Sequence, residues 1–227
     1  MRFINSDEPP YTERYVRWCE RTLSELIAQL LLDLKVMDVL VLPESNSLYK
    51  LEGLIRFGEG LRLSFLASKV KSGVIVEIGS FKGKSTSFLA AGSHNGNNIP
   101  VYAVDTWDLR EQYGQQKYQA KETLEAFHKQ TQPYANLITA IRGFSQEVAK
   151  TWDKDIGLLF IDGCHWYKEA WEDYQSWQKF ISIGGMLALH DYQNPKIQAV
   201  VERIKSHEQW VNWEVYGRVI SAQRVAK

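Results

Sequence analysis

From residue 74 onward, short β-branched runs alternate with segments of helical periodicity, and this alternation limits the possible folds more than any other feature. Alternating strands and helices predict βαβ units, with helices on both faces of a parallel sheet. Two runs around Gly217 lack an intervening helix and predict an antiparallel hairpin at one end. The sequence therefore predicts a doubly wound, mostly parallel α/β sheet. Five mostly apolar runs are typical of buried strands: 74–78, 101–105, 137–141, 156–162 and 186–191.

The first part of the chain has a different pattern. No strand signal occurs before residue 72, and apolar residues recur at helical spacing over 13–38 and again over 52–71. We therefore predict a helical cap or arm over residues 1–71 and the α/β domain over residues 72–227. The helix over 13–38 carries more apolar surface than a lone arm would expose, which predicts a homodimer.

Composition excludes several classes of protein. The 227 residues include 27 Lys and Arg and 27 Asp and Glu, so the formal net charge is zero. A neutral chain lacks the basic character of nucleic-acid or membrane-surface binding proteins. We find neither the apolar segment of a signal peptide nor a stretch long enough to span a membrane. These features predict a cytoplasmic globular protein that acts on a small molecule.

The loop after the first predicted strand contains two glycines, Gly79 and Gly83, followed by Lys84 and Ser85. A P-loop needs four residues between its glycines, and here three separate them. A dinucleotide-binding turn needs a glycine where Phe81 stands, so that the backbone can approach a pyrophosphate. Neither phosphate motif therefore fits the spacing.

A cofactor with a cationic end fits this loop better. Glu77 ends the first strand, where a carboxylate suits an ammonium group, and Asp105 ends the second, where it would accept hydrogen bonds from ribose hydroxyls. S-adenosylmethionine (SAM) carries both kinds of group. The predicted cofactor-binding residues in these two loops are Glu77, Ile78, Gly79, Ser80, Phe81, Gly83, Ser85, Asp105 and Thr106.

A second group of polar residues follows the fourth and fifth strands. Asp162 and His165 come after one strand, and His190 and Asp191 after the next. Adjacent strands lie about 4.8 Å apart, so these side chains are expected to converge. His165 or Asp162 would act as a general base, or Asp162, His190 and Asp191 would hold a divalent cation such as Mg²⁺ or Mn²⁺. The imidazole favours Mn²⁺, Fe²⁺ or Zn²⁺ over Mg²⁺.

Four segments carry a resemblance to a known family: VEIGSFKGKST, VYAVDTWD, LLFIDGCHWYKEAWEDYQSW and GGMLALHDY. Residues 73–192 resemble class I SAM-dependent methyltransferases, and more narrowly the macrocin O-methyltransferase and cephalosporin-hydroxylase-like group. The resemblance implies a seven-stranded Rossmann-like sheet with an antiparallel last strand, and a metal between the fourth and fifth strand ends. Cys164 departs from the acidic residue often found before this histidine, and His190 from the usual oxygen ligand. The resemblance also implies adenine recognition by Gly143, Phe144 and Ser145 in the loop after the third strand, and a cofactor contact at Asp162.

These observations predict an enzyme that transfers a methyl group from SAM to a hydroxyl of a small, sugar-like or natural-product acceptor. His165, Asp162 and Asp191 are the predicted catalytic residues. A non-catalytic SAM-binding regulatory module and, less favoured by the loop spacing, a P-loop nucleotidase are the alternatives. A relative in the resembling group performs oxygenation on the same sheet, so the reaction itself rests on analogy.

Overall fold

The computed structural model describes residues 45–108 and 120–226. From Asn46 onward they belong to one compact unit. The predicted helix over 13–38, and with it the basis for the predicted homodimer, lies outside the described residues. The division of the chain at residue 71 stays a prediction, although the second predicted helix packs within the compact unit.

One seven-stranded sheet organises the described chain, in the order β3-β2-β1-β4-β5-β7-β6. The first five strands are parallel, and β7 runs antiparallel to both β5 and β6. This topology confirms the predicted fold class, including the hairpin at one end. The strands are β1 Val74–Ile78, β2 Val101–Asp105, β3 Ile138–Arg142, β4 Ile156–Ile161, β5 Ile181–Leu189, β6 Trp210–Tyr216 and β7 Val219–Arg224.

Helices cover both faces of the sheet. On one face, the helices after β4 and β5 pack on apolar side chains of β1, β4 and β5, with Trp177 and Ile204 fully buried. On the other face, a helix from before β1 lies along the helix that follows β1. The described helices are α1 Ser45–Tyr49, α2 Phe57–Lys69, α3 Lys84–Asn95, α4 Ala120–Thr131, α5 Ser145–Lys150, α6 Tyr167–Trp177 and α7 Pro195–Lys205.

Strand alternation assigns the residues of β1 to these two faces. Val74, Val76 and Ile78 face the cluster that includes Trp177. Successive side chains of a strand point to opposite faces, so Glu77 points toward the α2 and α3 side. This placement decides what Glu77 contacts, as described below.

Two predicted boundaries differ from the structure by five residues. Strand β5 starts at Ile181, five residues before the predicted start, and runs through Gly184 and Gly185. Two consecutive glycines are typical of a break before a strand, but here a 3-10 turn at Gln178–Phe180 already returns the chain to the sheet. The second N-terminal helix begins at Phe57 rather than at residue 52. No helix in the described ranges is long and apolar enough to cross a membrane.

Candidate functional site

A cavity of about 780 Å³ opens beyond the carboxyl ends of the parallel strands. Its volume lies in the range of small-molecule sites. Most residues predicted from the sequence line it, whereas Glu77 and Gly83 are not among the lining residues. The predicted residues in its lining are Ile78, Gly79, Ser80, Phe81, Ser85, Asp105, Thr106, Gly143, Phe144, Ser145, Asp162, His165, His190 and Asp191.

The carboxylate of Asp105 organises the loop between β1 and α3. Its Oδ2 accepts hydrogen bonds from the backbone N–H groups of Ser80 and Phe81, both at 2.8 Å. Its Oδ1 accepts from the N–H of Trp107 at 2.7 Å. Phe81 and Trp107 both have positive φ angles, 45° and 50°, which non-glycine residues rarely adopt. Asp105 therefore holds two strained turns in the shape that forms the cavity wall.

Gly79 is required by a close approach of two loops. Its φ angle is 86°, and a Cβ atom there would lie 2.3 Å from the carbonyl oxygen of Asp162. Any other residue would collide with the backbone after β4. The sequence analysis assigned Gly79 to cofactor binding. The structure shows that a glycine is also required here because the two loops that carry the predicted site touch.

Glu77 lies beneath the loop rather than in the cavity, which corrects its predicted contact with the cofactor. The side chain is fully buried, and the hydroxyl of Thr86 in α3 donates a hydrogen bond to it. Burial raises the pKa of Glu77 to about 7, although hydrogen bonds from Ser85, Thr86 and Ser80 act in the opposite direction. The cause is strand alternation, which turns this side chain toward α3.

A buried ionic network lies behind the loops that follow β4 and β5. The Arg218 guanidinium donates to both carboxylate oxygens of Glu59, at 2.9 and 3.0 Å, and to Oδ1 of Asp191 at 3.0 Å. Burial opposes ionisation of Glu59, but hydrogen bonds from His190 and Arg218 outweigh it and hold the pKa of Glu59 far below its usual range. The network thereby fixes Asp191, whose φ angle of 53° is itself uncommon.

His190 belongs to this network and not to an open ligand set. Its Nε2 lies 3.2 Å from Glu59 and its Nδ1 lies 2.9 Å from Asp162. Burial alone would lower the pKa of His190, but the carboxylates of Asp162 and Glu59 outweigh that effect and raise it to about 10. Both ring nitrogens of His190 thus lie against carboxylates, and the potential ligand atoms that the structure brings together belong to Asp162, His165 and Asp191 rather than to the predicted set with His190.

His165 takes that place in the structure. Its Nδ1 lies 3.1 Å from Oδ2 of Asp191, and its Nε2 lies 3.9 Å from Oδ1 of Asp162. The three residues each offer one ligand atom, and these atoms all lie within 4.8 Å of one another. The His165 side chain is 40% exposed, so a bound molecule can reach it. Two carboxylates and one imidazole suit either proton transfer or a divalent cation.

In another part of the cavity lining, the loop after β3 meets helix α6. Asp173 is 4% exposed, and its Oδ1 accepts hydrogen bonds from the Ser145 hydroxyl and from Nε2 of Gln146. Burial raises the pKa of Asp173 to about 7, against the hydrogen bond from Ser145. This end of the cavity includes the residues that the family resemblance assigned to adenine.

The sequence analysis missed four of these residues: Glu59, Gln146, Asp173 and Arg218. Two of them carried a usable signal. Asp173 falls on the apolar stripe of α6 between Ala170 and Trp177, and Glu59 lies in a helix whose other side chains are largely apolar. A charged residue on a face that must be buried needs a partner or a ligand.

Comparison with known proteins identifies the family. Residues 76–192, just over half of the chain, match the family model described as Methyltransferase domain. The chain therefore belongs to the methyltransferase-domain family, and the prediction of a class I SAM-dependent methyltransferase is confirmed. The narrower macrocin-type group stays a prediction. Protein R132 of Acanthamoeba polyphaga mimivirus, described as uncharacterized, is 27% identical over 138 residues. The match covers 57% of this chain and 58% of that relative's length.

Solved structures share the fold at low sequence identity. The O-methyltransferase NovP is 16% identical, with a TM-score of 0.62, over 76% of this chain and 81% of that one. TomG of Streptomyces achromogenes, an O-methyltransferase solved with SAM, is 14% identical with a TM-score of 0.59, over 84% and 90%. Cofactor-bound Rv0187 from MTB is 17% identical, with a TM-score of 0.59, over 97% and 99%.

The burial of Glu77 leads to a pH-dependent prediction. The folded protein keeps a proton on Glu77 between about pH 4.5 and 7 that the unfolded chain releases, so stability falls as pH rises through this window. Glu77→Gln should therefore raise the free energy of unfolding relative to wild type, by up to about 3 kcal/mol at pH 8 and by less at pH 5. Urea unfolding at both pH values measures this, with exposed Glu147→Gln as the control. An equal gain at both pH values would contradict the raised pKa.

Asp105 leads to a prediction about ligand affinity. Asp105→Asn leaves one amide group facing three backbone donors, so the loop should lose its shape. Affinity for S-adenosylhomocysteine should fall by about 1.5–3 kcal/mol, the range for hydrogen bonds to a charged group. Calorimetric titration measures this, and Asp153→Asn, an exposed residue before β4, is the matched control. Unchanged affinity in Asp105→Asn would remove this loop from the binding site.

The Glu59–Arg218 pair leads to a prediction about stability. Arg218→Met removes the two guanidinium hydrogen bonds to the buried Glu59 carboxylate and should cost about 3 kcal/mol or more in urea unfolding. Adding Glu59→Gln should recover part of that loss, since the poorly compensated buried charge is then gone. Lys150→Met, which breaks an exposed pair with Glu147, should cost little. Additive costs in the double variant would show that the two side chains are not coupled.

Proposed function

We propose that this protein is a SAM-dependent O-methyltransferase that acts on a hydroxyl of a small acceptor. The observation that carries the proposal is the group of Asp162, His165 and Asp191 in the cavity wall, with the His165 ring open to a bound molecule. Asp162 and Asp191 follow β4 and β5, whereas Ser145 follows β3 on the other side of β1 and β2 in the sheet. A cofactor with its adenine near Ser145 would extend along these strand ends and bring its methyl group toward His165.

The cavity offers complementary groups along the length of SAM. Ser145 and Phe144 lie at the end proposed for adenine, and Asp105 and Thr106 at the position proposed for ribose. Lys84, half-buried in the lining at the start of α3, suits the carboxylate of the amino-acid end. SAM supplies an already activated methyl group, so the chain's own residues need to orient the acceptor and take its proton.

His165 is the proposed base. A carboxylate accepts hydrogen bonds but does not donate them, so Asp191 at 3.1 Å favours the tautomer with its proton on Nδ1. Nε2 then carries the free lone pair and takes the proton of the acceptor hydroxyl as the methyl group is transferred. Arg218 holds Asp191 in place from behind, which keeps the ring oriented.

The same three side chains fit a divalent cation. Asp162, His165 and Asp191 would hold it, and an imidazole with two carboxylates favours Mn²⁺, Fe²⁺ or Zn²⁺ over Mg²⁺. Such an ion would lower the pKa of a coordinated hydroxyl and orient it. His165 would then be a ligand rather than a base, so the two mechanisms exclude each other and one experiment separates them.

The mouth of the cavity suits a small acceptor with a flat or apolar face. Trp166 is 54% exposed and Leu54 is 70% exposed, and both line the cavity. Lys196 lies over the Trp166 ring, with Nζ 3.2 Å from its centroid, and helps to hold the indole in position. A sugar ring or a natural-product ring would pack on this surface.

The loop geometry argues against a P-loop nucleotidase. Two N–H groups that a phosphate cradle would need, those of Ser80 and Phe81, already donate to the carboxylate of Asp105. A carboxylate at this position also repels a polyphosphate. A SAM-binding module without catalysis would keep the cofactor site but would not need His165, so substitution of this residue tests catalysis directly.

We expect His165→Ala to reduce methyl transfer to a confirmed acceptor by about 10²-fold or more, the effect of losing a base or a metal ligand. Affinity for S-adenosylhomocysteine should barely change, because the cofactor contacts lie elsewhere in the cavity. Transfer of labelled methyl groups to a panel of hydroxylated small molecules measures the first quantity, and calorimetry measures the second. His207→Ala, at an exposed residue just after α7, is the matched control. Full turnover in the His165 variant would refute its role.

Chelation separates the two mechanisms. Activity that is lost with EDTA and restored by Mn²⁺ or Mg²⁺ would assign Asp162, His165 and Asp191 to a metal. Activity that is indifferent to EDTA would assign His165 to proton transfer. Wild-type protein that binds S-adenosylhomocysteine but methylates no acceptor in the panel would favour the non-catalytic module.

A further inference from the structure

One side of the cavity is formed by a short segment, residues 51–56, which we call the strap. It joins α1 to α2 and adopts neither helix nor strand. Gly53, Leu54 and Ile55 of the strap line the cavity, and the Leu54 side chain is 70% exposed. The strap therefore lies at the boundary between the cavity and solvent, where a segment can control the passage of a ligand.

The side chain of Gln130, in the last turn of α4, holds one end of the strap. Its Oε1 accepts a hydrogen bond from the N–H of Glu52 at 2.6 Å, and its Nε2 donates to the carbonyl oxygen of Glu52 at 2.9 Å. Nε2 also donates to the carbonyl oxygen of Lys82, in the loop between β1 and α3, at 2.5 Å. These three hydrogen bonds, which we call the clasp, join the strap to that loop and to α4.

The clasp is exposed enough to open by itself. Both hydrogen bonds between Gln130 and Glu52 are exposed to solvent. The ammonium of Lys82 pairs with the Glu52 carboxylate at 2.6 Å, and the Glu52 side chain is 73% exposed. Water replaces such contacts at modest cost, because each contributes little net free energy. The clasp can therefore break while the rest of the domain stays folded.

The other end of the strap is fixed more firmly. Ile55 is 4% exposed, and the Arg218 guanidinium donates to the carbonyl oxygen of Leu54 at 2.9 Å. The N–H of Arg56 donates to Oε2 of the buried Glu59 carboxylate at 2.8 Å. A segment that is anchored at one end and held by exposed contacts at the other turns about its anchored end, which here lies at Ile55.

The loop that faces the strap is held in place. A Cβ atom on Gly83 would lie 2.8 Å from Cγ2 of Thr131 and 2.9 Å from the ring of Phe127, so this loop packs on α4 without a gap. Asp105 holds the same loop through the N–H groups of Ser80 and Phe81. When the clasp opens, the strap therefore moves and the loop stays.

We propose that the strap is a gate for the cofactor: it turns away from the cavity when the Gln130 clasp opens, and it closes over the bound cofactor when the clasp forms again. Gln130 is then a positioning residue, which acts through the strap and not by contact with the ligand. The proposal rests on the cofactor site of the proposed function, but not on the acceptor or on the role of His165.

The rates of ligand exchange test the gate. Stopped-flow tryptophan fluorescence, with Trp166 in the cavity lining, measures association and dissociation of S-adenosylhomocysteine. Gln130→Met keeps the length of the side chain but removes all three hydrogen bonds. It should raise the dissociation rate about tenfold or more and the association rate about threefold or more, because the clasp opposes opening in both directions. Glu125→Gln, at an exposed residue of the same helix, should change neither rate.

Two results with Gln130→Met would overturn the gate. Faster dissociation without faster association would show that Gln130 only shapes the bound site. Unchanged rates in both directions would show that the clasp does not control exchange.

A second variant reaches the strap from a different contact. A Cβ atom on Gly53 would lie 2.6 Å from Cβ of Lys84, so Gly53→Ala pushes the closed strap away and leaves Gln130 intact. Both rates should rise as they do in Gln130→Met. Wild-type rates in Gly53→Ala would contradict the gate, because the strap would then exchange ligands equally well without its closed position.

Hydrogen exchange tests the gate in the wild-type protein. The N–H of Glu52 donates to Gln130 only while the clasp is formed, so its exchange reports on opening. S-adenosylhomocysteine should slow exchange in the strap by about tenfold or more, and should leave β6 at the edge of the sheet unchanged. Equal exchange in the strap with and without this ligand would overturn the proposal.

Failure of the cofactor site has a different signature. Wild-type protein that does not bind S-adenosylhomocysteine would overturn that site together with the gate. Wild-type protein that binds it, with exchange rates that neither variant alters, would overturn the gate alone. The outcome of the acceptor screen has no effect on either conclusion.

Discussion

The Glu59 carboxylate joins three parts of the chain that are distant in sequence: the start of α2, the end of β5 and the turn between β6 and β7. Buried carboxylates are costly unless every lone pair finds a donor. Here Arg218, His190 and the backbone N–H of Arg56 supply those donors. The positions of Asp162 and Asp191, after β4 and β5, depend on this arrangement, because Arg218 also fixes Asp191 and His190 also contacts Asp162.

The loop between β1 and α3 depends on a second acid, which is used in a different way. Asp105 bonds to backbone donors and so shapes a loop, whereas Glu59 bonds to charged side chains and so joins secondary-structure elements. The sequence analysis assigned Asp105 to direct contact with a ligand and assigned no role to Glu59. The cavity wall is therefore assembled mainly by internal hydrogen bonds, and a ligand meets groups whose positions are already set.

Local patterns account for what the sequence predicted well. The runs at 74–78 and 101–105 match β1 and β2 because their apolar side chains are buried on both faces and no competing signal interrupts them. The residues after those strands line the cavity because parallel strands end at a common edge. In contrast, the predicted start of β5 was wrong. Gly184 and Gly185 indicate a break when they are considered alone, but β5 pairs with β4 on both sides of them.

Partners distant in sequence account for what the sequence did not predict. Nothing near His190 indicates that Glu59, 131 residues away, occupies one of its nitrogens. The sequence therefore placed His190 in the predicted metal set, whereas the structure groups His165 with Asp162 and Asp191. Likewise, the face of β1 on which Glu77 falls depends on which helices cover each side of the sheet. Both contacts depend on how whole secondary-structure elements are placed relative to one another, and hydrophobic periodicity does not encode that placement.

The contact between Gly79 and the backbone of Asp162 has a consequence for cooperativity. The loop proposed to hold the cofactor and the loop that carries His165 touch with no space for a single methyl group. Neither loop can shift without displacing the other. If SAM and an acceptor bind here as proposed, ordering of one loop by its ligand would lower the entropic cost of binding at the other, and by thermodynamic linkage the effect would be reciprocal. The two ligands of this cavity would accordingly bind as a coupled pair, with each slowing the departure of the other.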